Sequence, residues 1–332
     1  MRVAVLGAGA IGAYVGAMLA RGGTEVHLIA RGPHLAAMRR DGLRVISDAD
    51  EFSVRVPATD DPREIGTVDT VFLGLKAHQY AGAGSLLEPL LGDETAVVAA
   101  QNGIPWWYFY RHGGPFDGRR VESVDPGGAV SAVIPPWRAV GCVVFSSTEL
   151  EAPGVVRHVE GVRFPIGEPD NQPSERAQAF SRAMREAGLK APVVSRIRDH
   201  VWLKLIGNVV FNPLSALSRA TMAQICEYQP SYDAAVRVMT EALAIARAFG
   251  CEPSMTVEQR MAGAAQVGPH RTSMLQDLEA GKELEVDALV SAVVELADLV
   301  EIEAPALRTL SAAIELLDRT RRADAAARAT DS

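Results

Sequence analysis

Gly7-Ala8-Gly9-Ala10-Ile11-Gly12 follows the β-type run RVAVL directly and opens a segment of helical periodicity. In that setting the G-x-G-x-x-G spacing gives each glycine its own job. Gly7 allows a tight turn, Gly9 lets a pyrophosphate reach the backbone, and Gly12 lets the helix pack on the strand. The first N–H groups and the positive dipole end of the helix then attract phosphate. Gly7, Ala8, Gly9, Ala10, Ile11 and Gly12 are therefore candidate dinucleotide contacts. The next strand candidate ends at Ala30-Arg31-Gly32. An acid at that point would hold the 2′-hydroxyl of NAD. A small neutral residue followed by Arg31 offers a guanidinium fork to a 2′-phosphate instead, so NADP(H) is the expected cofactor.

A second constellation lies far downstream. Lys204, Asn208 and Asn212 stand at i, i+4 and i+8 in VWLKLIGNVVFNPLSAL. Each step of four advances about 40° on an α-helix, so the three form one polar stripe. Trp202, Leu203, Leu205, Ile206 and Val209 surround it. A solvated face is the plain alternative, but a lysine in such apolar company is costly and calls for a function. Ketone reduction leaves charge on oxygen as hydride reaches carbon, and a positioned ammonium can stabilise that charge and supply a proton. Ser273 begins an S-x-x-Q pattern, which reads as a helix cap. A helix N-terminus also suits a carboxylate. Glu285 stands at the start of an apolar helix. Asn102 follows the strand AVVAA at the sheet edge where such folds bind ligands. Lys76 lies at a strand end, where a solvated lysine is the alternative.

These residues need a scaffold, and the periodicities supply one. Strand candidates at 3–6, 26–29, 71–75 and 96–99 alternate with helix candidates at 10–21, 33–41 and 81–91. That alternation predicts a parallel, doubly wound sheet. Residues 43–46 and 52–56 read as an extra strand pair, 139–168 as β-rich, 174–187 as a helix and 193–194 as a last short strand. Beyond about residue 196 strand signals vanish, and helices are expected over 196–211, 230–249, 255–265, 273–280, 285–300 and 304–325. The expected fold is an α/β Rossmann-type doubly wound sheet followed by an all-α C-terminal domain. The expected bounds are 1–195 for the NADP-binding domain and 196–325 for the helical substrate domain, with 326–332 as a disordered tail. Residues 110–138, rich in Gly and Pro, read as a long surface loop. Candidates fall in both halves, which predicts an active site shared between them.

Bulk properties narrow the partners. The net charge of −8 disfavours nucleic acid and acidic membranes. The three cysteines, odd in number and widely spaced, predict reduced thiols in a cytoplasmic protein with no disulfide framework and no metal cluster. Glycines interrupt the apolar N-terminus, which argues against a secretory leader. No other apolar run reaches the length of a membrane span. The partner expected is a small molecule.

Taken in order, GAGAIG, Gly74-Leu75-Lys76-Ala77-His78-Gln79, Gln101-Asn102-Gly103-Ile104, the Lys204/Asn208/Asn212 stripe with NPL, and SMLQD followed by Glu285-Val286-Asp287 resemble the ketopantoate reductase family. The resemblance spans residues 2 to about 320. It implies NADPH-dependent reduction of 2-dehydropantoate to pantoate, a step of pantothenate biosynthesis. It assigns the general-acid role to Lys204 and a catalytic-site role to Glu285 beside Lys204 and the nicotinamide ribose. By the same resemblance Asn208, Asn212 and Ser273 meet substrate, Asn102 meets substrate and cofactor, and Lys76 lies near the cofactor.

Two departures from the family pattern touch the substrate. Residues 105–138 form a long insertion, opened by the aromatic run Trp106-Trp107-Tyr108-Phe109-Tyr110. A lid, a substrate wall or a subunit contact, and with the last a homodimer, are the alternatives for that run. The family's further substrate Asn is missing from Ser218-Arg219-Ala220-Thr221-Met222. Reduction of another branched 2-keto acid, or a non-catalytic NADP-binding sensor, are the competing readings. The intact Lys204, Asn208, Asn212, Ser273 and Glu285 set speaks against a sensor. His78, His200 and His270 read as structural or surface residues.

Overall fold

The structure, a computed structural model, describes residues 1–330. Two compact units divide the chain. The first holds Met1–Gln101, Pro105–Arg120 and Asp125–Ile197, and the second holds Asn102–Ile104, Val121–Val124 and Arg198 onward. The main change of unit falls at Ile197, close to the predicted 195. Two short loops of the first half, one of them carrying Asn102, belong to the helical unit.

The first unit begins β1 (Arg2–Leu6), α1 (Ala10–Arg21), β2 (Glu25–Ile29), α2 (Gly32–Asp41), β3 (Leu43–Ile46), β4 (Glu51–Val54), β5 (Ala58–Thr59) and β6 (Val68–Leu73). It continues α3 (Gly84–Leu87), β7 (Leu91–Ala99), α4 (Ala129–Val133), β8 (Ala139–Cys142), β9 (Phe145–Ala152), β10 (Val155–Arg163), β11 (Ile166–Gly167) and α5 (Glu175–Glu186). The main sheet runs β11-β8-β7-β6-β1-β2-β5. All its pairs are parallel except β11 with β8. Such a sheet is covered on both faces and its strands read as aliphatic runs; Val3, Ala4, Val5, Val71, Phe72, Val97 and Val98 are all buried.

A four-stranded sheet, β4-β3-β10-β9, packs against α1, where Tyr14 stacks on His158 with ring centroids 4.7 Å apart. The 43–56 pair was expected. Its partnership with β9 and β10, about a hundred residues on, was not, because nothing local records it. The helix expected at 81–91 is broken into 3₁₀ turns around the four-residue α3. Gly82, Gly84 and Pro89 explain this, since Gly costs about 1 and Pro about 3 kcal/mol in a helix interior. The strand expected at 193–194 is reduced to a single bridge from Val193 to Ile166. Pro192 before it has no N–H to extend a ladder.

The 110–138 loop is not a surface feature throughout, since Val121, Val130 and Ile134 are buried within it, and the aromatic run just before it is buried too. Trp106, Trp107, Tyr108 and Phe109 are at most 3% exposed, so they are core. Trp106 Nε1 donates to the Ile134 carbonyl at 2.9 Å, its ring meets Tyr80 edge-on, and Gly141 leaves room for Trp107. For these four residues packing in the core replaces an exposed lid, while Tyr110, the last of the run, is half-buried. Each such ring buries about 150–250 Å², enough to anchor an insertion that otherwise holds 3₁₀ turns and α4.

The second unit is helical: α6 (Ile197–Ser218, its first residue in the first unit), α7 (Met222–Glu227), α8 (Gln229–Ala248), α9 (Val257–Gln266), α10 (Ser273–Glu279), α11 (Ala292–Leu299) and α12 (Pro305–Thr330). Helix α6 outruns its predicted end at 211, passing through Pro213 until Arg219 turns left-handed at φ 63°. Helix α7, too short for its periodicity to register, was missed. The expected tail at 326–332 is corrected up to Thr330, which still belongs to α12. Alanine and arginine there are among the best helix formers. The last two residues of that tail lie outside the described residues. Among the described residues no helix is long and apolar enough to cross a membrane.

Candidate active site

In the first unit the β1–α1 turn is built from backbone. The N–H groups of Gly7 and Ala8 both donate to the Ile29 carbonyl, at 3.2 and 3.0 Å. Gly7 has φ +89°, a conformation that favours glycine. A Cβ on Gly12 would fall 2.2 Å from the Gly7 carbonyl oxygen, and one on Gly74 2.3 Å from the same atom. Gly9 differs: a Cβ there would meet nothing within 4 Å. It also occupies the N-cap position of α1 with no side-chain cap. The open approach and the uncapped helix end, flanked by Ala8, Ala10 and Ile11, fit a pyrophosphate.

Arg31 is exposed and sits at the N-cap of α2. Lys76 is half-buried beyond β6, its own N–H bonded to the Gln79 side chain at 3.0 Å.

The second unit gathers side chains from three distant stretches. Helix α6 buries Trp202, Leu205, Ile206, Val209 and Val210, leaving Lys204 and Asn208 half-buried. Lys204 Nζ donates to Asn102 Oδ1 at 2.5 Å. Asn102 Nδ2 donates to Glu285 Oε2 at 3.2 Å. One amide thus links an ammonium to a carboxylate that is only 9% exposed. Asn212, two turns along α6, is buried and its Nδ2 lies 3.5 Å from Ser273 Oγ. Lys204, Asn102 and Glu285 come together, and Asn212 meets Ser273. No hydrogen bond joins the Asn208 side chain to either group among the described residues.

Ser273 is not the helix cap that its pattern suggested. Thr272 caps α10, accepting from the Leu275 N–H at 3.2 Å and donating to Ser215 Oγ at 3.0 Å. The register is one residue earlier than S-x-x-Q implies, which leaves the exposed Ser273 hydroxyl uncommitted to capping. Thr221 is committed: it caps α7 in a reciprocal box with Gln224.

Several supporting features were invisible in the sequence. Glu285 precedes a π turn over Asp287–Ser291, a wide turn often found at functional sites. The Ala288 carbonyl in it accepts the Ile104 N–H at 2.8 Å. Gly103, with φ +80°, must be glycine, because a Cβ would lie 2.1 Å from that same oxygen. These contacts fix the loop that presents Asn102. Likewise Glu295 on α11 accepts the N–H groups of Glu122 and Ser123 at 2.7 and 2.8 Å. Arg260 on α9, also unremarked in the sequence, lies against Gly207 of α6. A lone glycine inside an apolar helix was the available signal for it.

Comparison with known proteins agrees with this architecture. The family model described as ketopantoate reductase PanE/ApbA matches residues 3–108, and its C-terminal counterpart matches 196–318. A 2-dehydropantoate 2-reductase of Mesorhizobium japonicum is 47% identical over 96% of this chain and 97% of its own length. One from Halobacterium salinarum is 31% identical over 96% and 99%. A crystal structure from Ralstonia solanacearum MolK2, provisionally assigned as a ketopantoate reductase, superposes with TM-score 0.91 at 37% identity, covering 96% of this chain and 98% of its own.

Proposed function

The chain belongs to the ketopantoate reductase family, and from that premise we propose that it reduces 2-dehydropantoate to pantoate with NADPH as a cytoplasmic enzyme of pantothenate biosynthesis. The observation that carries the reading is the Lys204–Asn102–Glu285 chain. It holds an ammonium at a fixed place in an apolar helix, oriented by an amide whose other end is held by a buried carboxylate.

The nicotinamide, when bound, supplies the hydride. The residues do the rest. Gly7, Ala8, Gly9, Ala10, Ile11 and Gly12 receive the pyrophosphate at the start of α1, and Lys76 supports the cofactor nearby. Arg31 takes the 2′-phosphate; the neutral Ala30 beside it and the exposure of its guanidinium support NADPH over NADH. Lys204 gives its proton to the keto oxygen as charge develops there. Asn102 positions that ammonium and meets substrate and cofactor, while Glu285 orients Asn102 and meets the cofactor ribose. Asn208, Asn212 and Ser273 supply hydrogen bonds to the oxygens of the keto acid.

The test is NADPH oxidation by the purified protein against a panel of 2-keto acids that includes ketopantoate. Fast turnover of ketopantoate with NADPH, much slower with NADH, is expected. Preference for a different keto acid would move the substrate and keep the chemistry. Binding of NADPH without turnover of any keto acid would overturn the reading in favour of a sensor.

A further inference from the structure

A 2-keto acid brings a carboxylate next to its keto group, and the ammonium of Lys204 cannot both deliver a proton to one and neutralise the other. A second cation with two donors side by side is the group that carboxylates fit best. Arg260 has that chemistry, and its setting is unusual. Its Nε is buried without a hydrogen-bond partner. Among the described residues no carboxylate lies within ion-pair distance of its guanidinium. Burial pushes its pKa below the ordinary arginine range, with no nearby acid to oppose the shift. Keeping a half-buried guanidinium with no acid beside it is costly unless something else pairs it.

The guanidinium is also placed deliberately. A Cβ on Gly207 would lie 2.3 Å from both Arg260 Nε and Nη2, so the planar group rests directly on the α6 backbone at that glycine. Gly207 is three residues beyond Lys204, and side chains at that spacing are neighbours on a helix surface, about 5–6 Å apart. Glycine weakens a helix interior, so its presence here needs a reason, and room for this guanidinium is one.

Resting on the keto-acid reading above, we propose that Arg260 is the residue that recognises the substrate carboxylate, held beside Lys204 by the absent side chain of Gly207. Lys204 then serves the keto oxygen alone. Arg260 sets which ligands bind and does not take part in proton transfer.

The experiment measures KM and kcat for ketopantoate at saturating NADPH in wild type, Arg260→Met, Arg260→Lys, Gly207→Ala and the Gly207→Ala/Arg260→Met double variant. Arg260→Met should raise KM about ten- to hundredfold, the loss of a charge-assisted pair, with kcat changed far less. It should not lower Tm, since it removes a half-buried charge that no acid pairs. Arg260→Lys should fall between, keeping charge without the fork. Gly207→Ala displaces the flexible guanidinium while favouring the helix, so KM should rise in wild type and rise no further in the Arg260→Met background. A KM for Arg260→Met within about twofold of wild type, far below that loss, overturns the inference and leaves the reductase reading intact. If wild type turns over no keto acid, the reductase reading falls separately, and calorimetric titration of the NADPH-loaded protein with oxamate decides about Arg260. Binding that Arg260→Met weakens supports the anion site; no binding, or equal binding, overturns it.

Discussion

The two units build recognition from different materials. In the first, the β1–α1 turn offers backbone N–H groups and empty space, and its key residues matter because they lack side chains. Gly12 and Gly74 meet around the Gly7 carbonyl oxygen, and Gly9 faces open space. In the second, the proposed chemistry lies in polar side chains drawn from three stretches, with Asn102 bonded across 102 residues to Lys204 and 183 to Glu285. At Gly7, Gly12 and Gly74 the backbone site tolerates almost no added atom, and of its side chains only Arg31 at its edge is asked to act through charge. A side-chain site keeps its shape under substitution and loses its reaction.

The contrast is tested most strongly at Lys204. An ammonium that acts as charge reaches the keto oxygen works mainly in the transition state. Lys204→Ala should therefore lose about 10²–10⁴-fold in single-turnover rate at saturating NADPH and keto acid, with NADPH affinity little changed. Lys204→Arg should not restore the rate, because a guanidinium rarely gives up its proton. A single-turnover rate within about threefold of wild type, well short of that loss, would make Lys204 structural and transfer attention to Lys76.

At the backbone site the matching variants are Gly12→Ala and Arg31→Ala. The new Cβ of Gly12→Ala collides with the Gly7 carbonyl, backbone that cannot swing aside. NADPH binding, read by fluorescence titration, should collapse together with thermal stability. Retention of both would mean the turn is softer than its geometry implies. Arg31→Ala should weaken NADPH about ten- to hundredfold and NADH much less, the expected loss of one charge-assisted phosphate contact. Equal loss for both cofactors would remove the 2′-phosphate assignment while leaving the turn unaffected.

The same division explains what could be read from the sequence. The turn was legible because its residues are contiguous and each glycine answers a local steric demand. Most of the order of helices and strands was legible from periodicity; the exceptions are 81–91, where two glycines and a proline override it, the short α7, which was missed, and the strand expected at 193–194, which is a single bridge. The stripe on α6 was legible because i, i+4 spacing survives folding. That Asn102 would link Lys204 to Glu285 was not, since the contact depends on Gly103 closing on the Ala288 carbonyl in a π turn. The capping role misassigned to Ser273 shows the finer limit: a one-residue shift to Thr272 decides which hydroxyl is committed to the cap. The aromatic run looked like a functional surface because its burial depends on Tyr80, Ile134 and Gly141, distant partners that leave no trace beside it.

The smallest expected effect concerns the support of the glycine turn. His34 on α2 accepts the Gly154 N–H at Nδ1, 2.9 Å away, joining α2 to the turn between β9 and β10. Burial lowers its pKa below the ordinary histidine value, and a contact with the Ala8 backbone opposes the shift only in part. Protonation would also remove the lone pair that Gly154 uses. The folded state therefore binds fewer protons here than the unfolded chain. Stability from this group is complete above the unfolded histidine pKa of about 6.5. It declines as pH falls through that value toward the lowered folded one, by at most about 1.4 kcal/mol per pH unit for one group. Thermal melts at stepped pH should show wild type losing Tm below about pH 6.5 more steeply than His34→Gln, whose side chain does not titrate. Parallel melting curves for the two proteins across that range would show that His34 bears no titrating load.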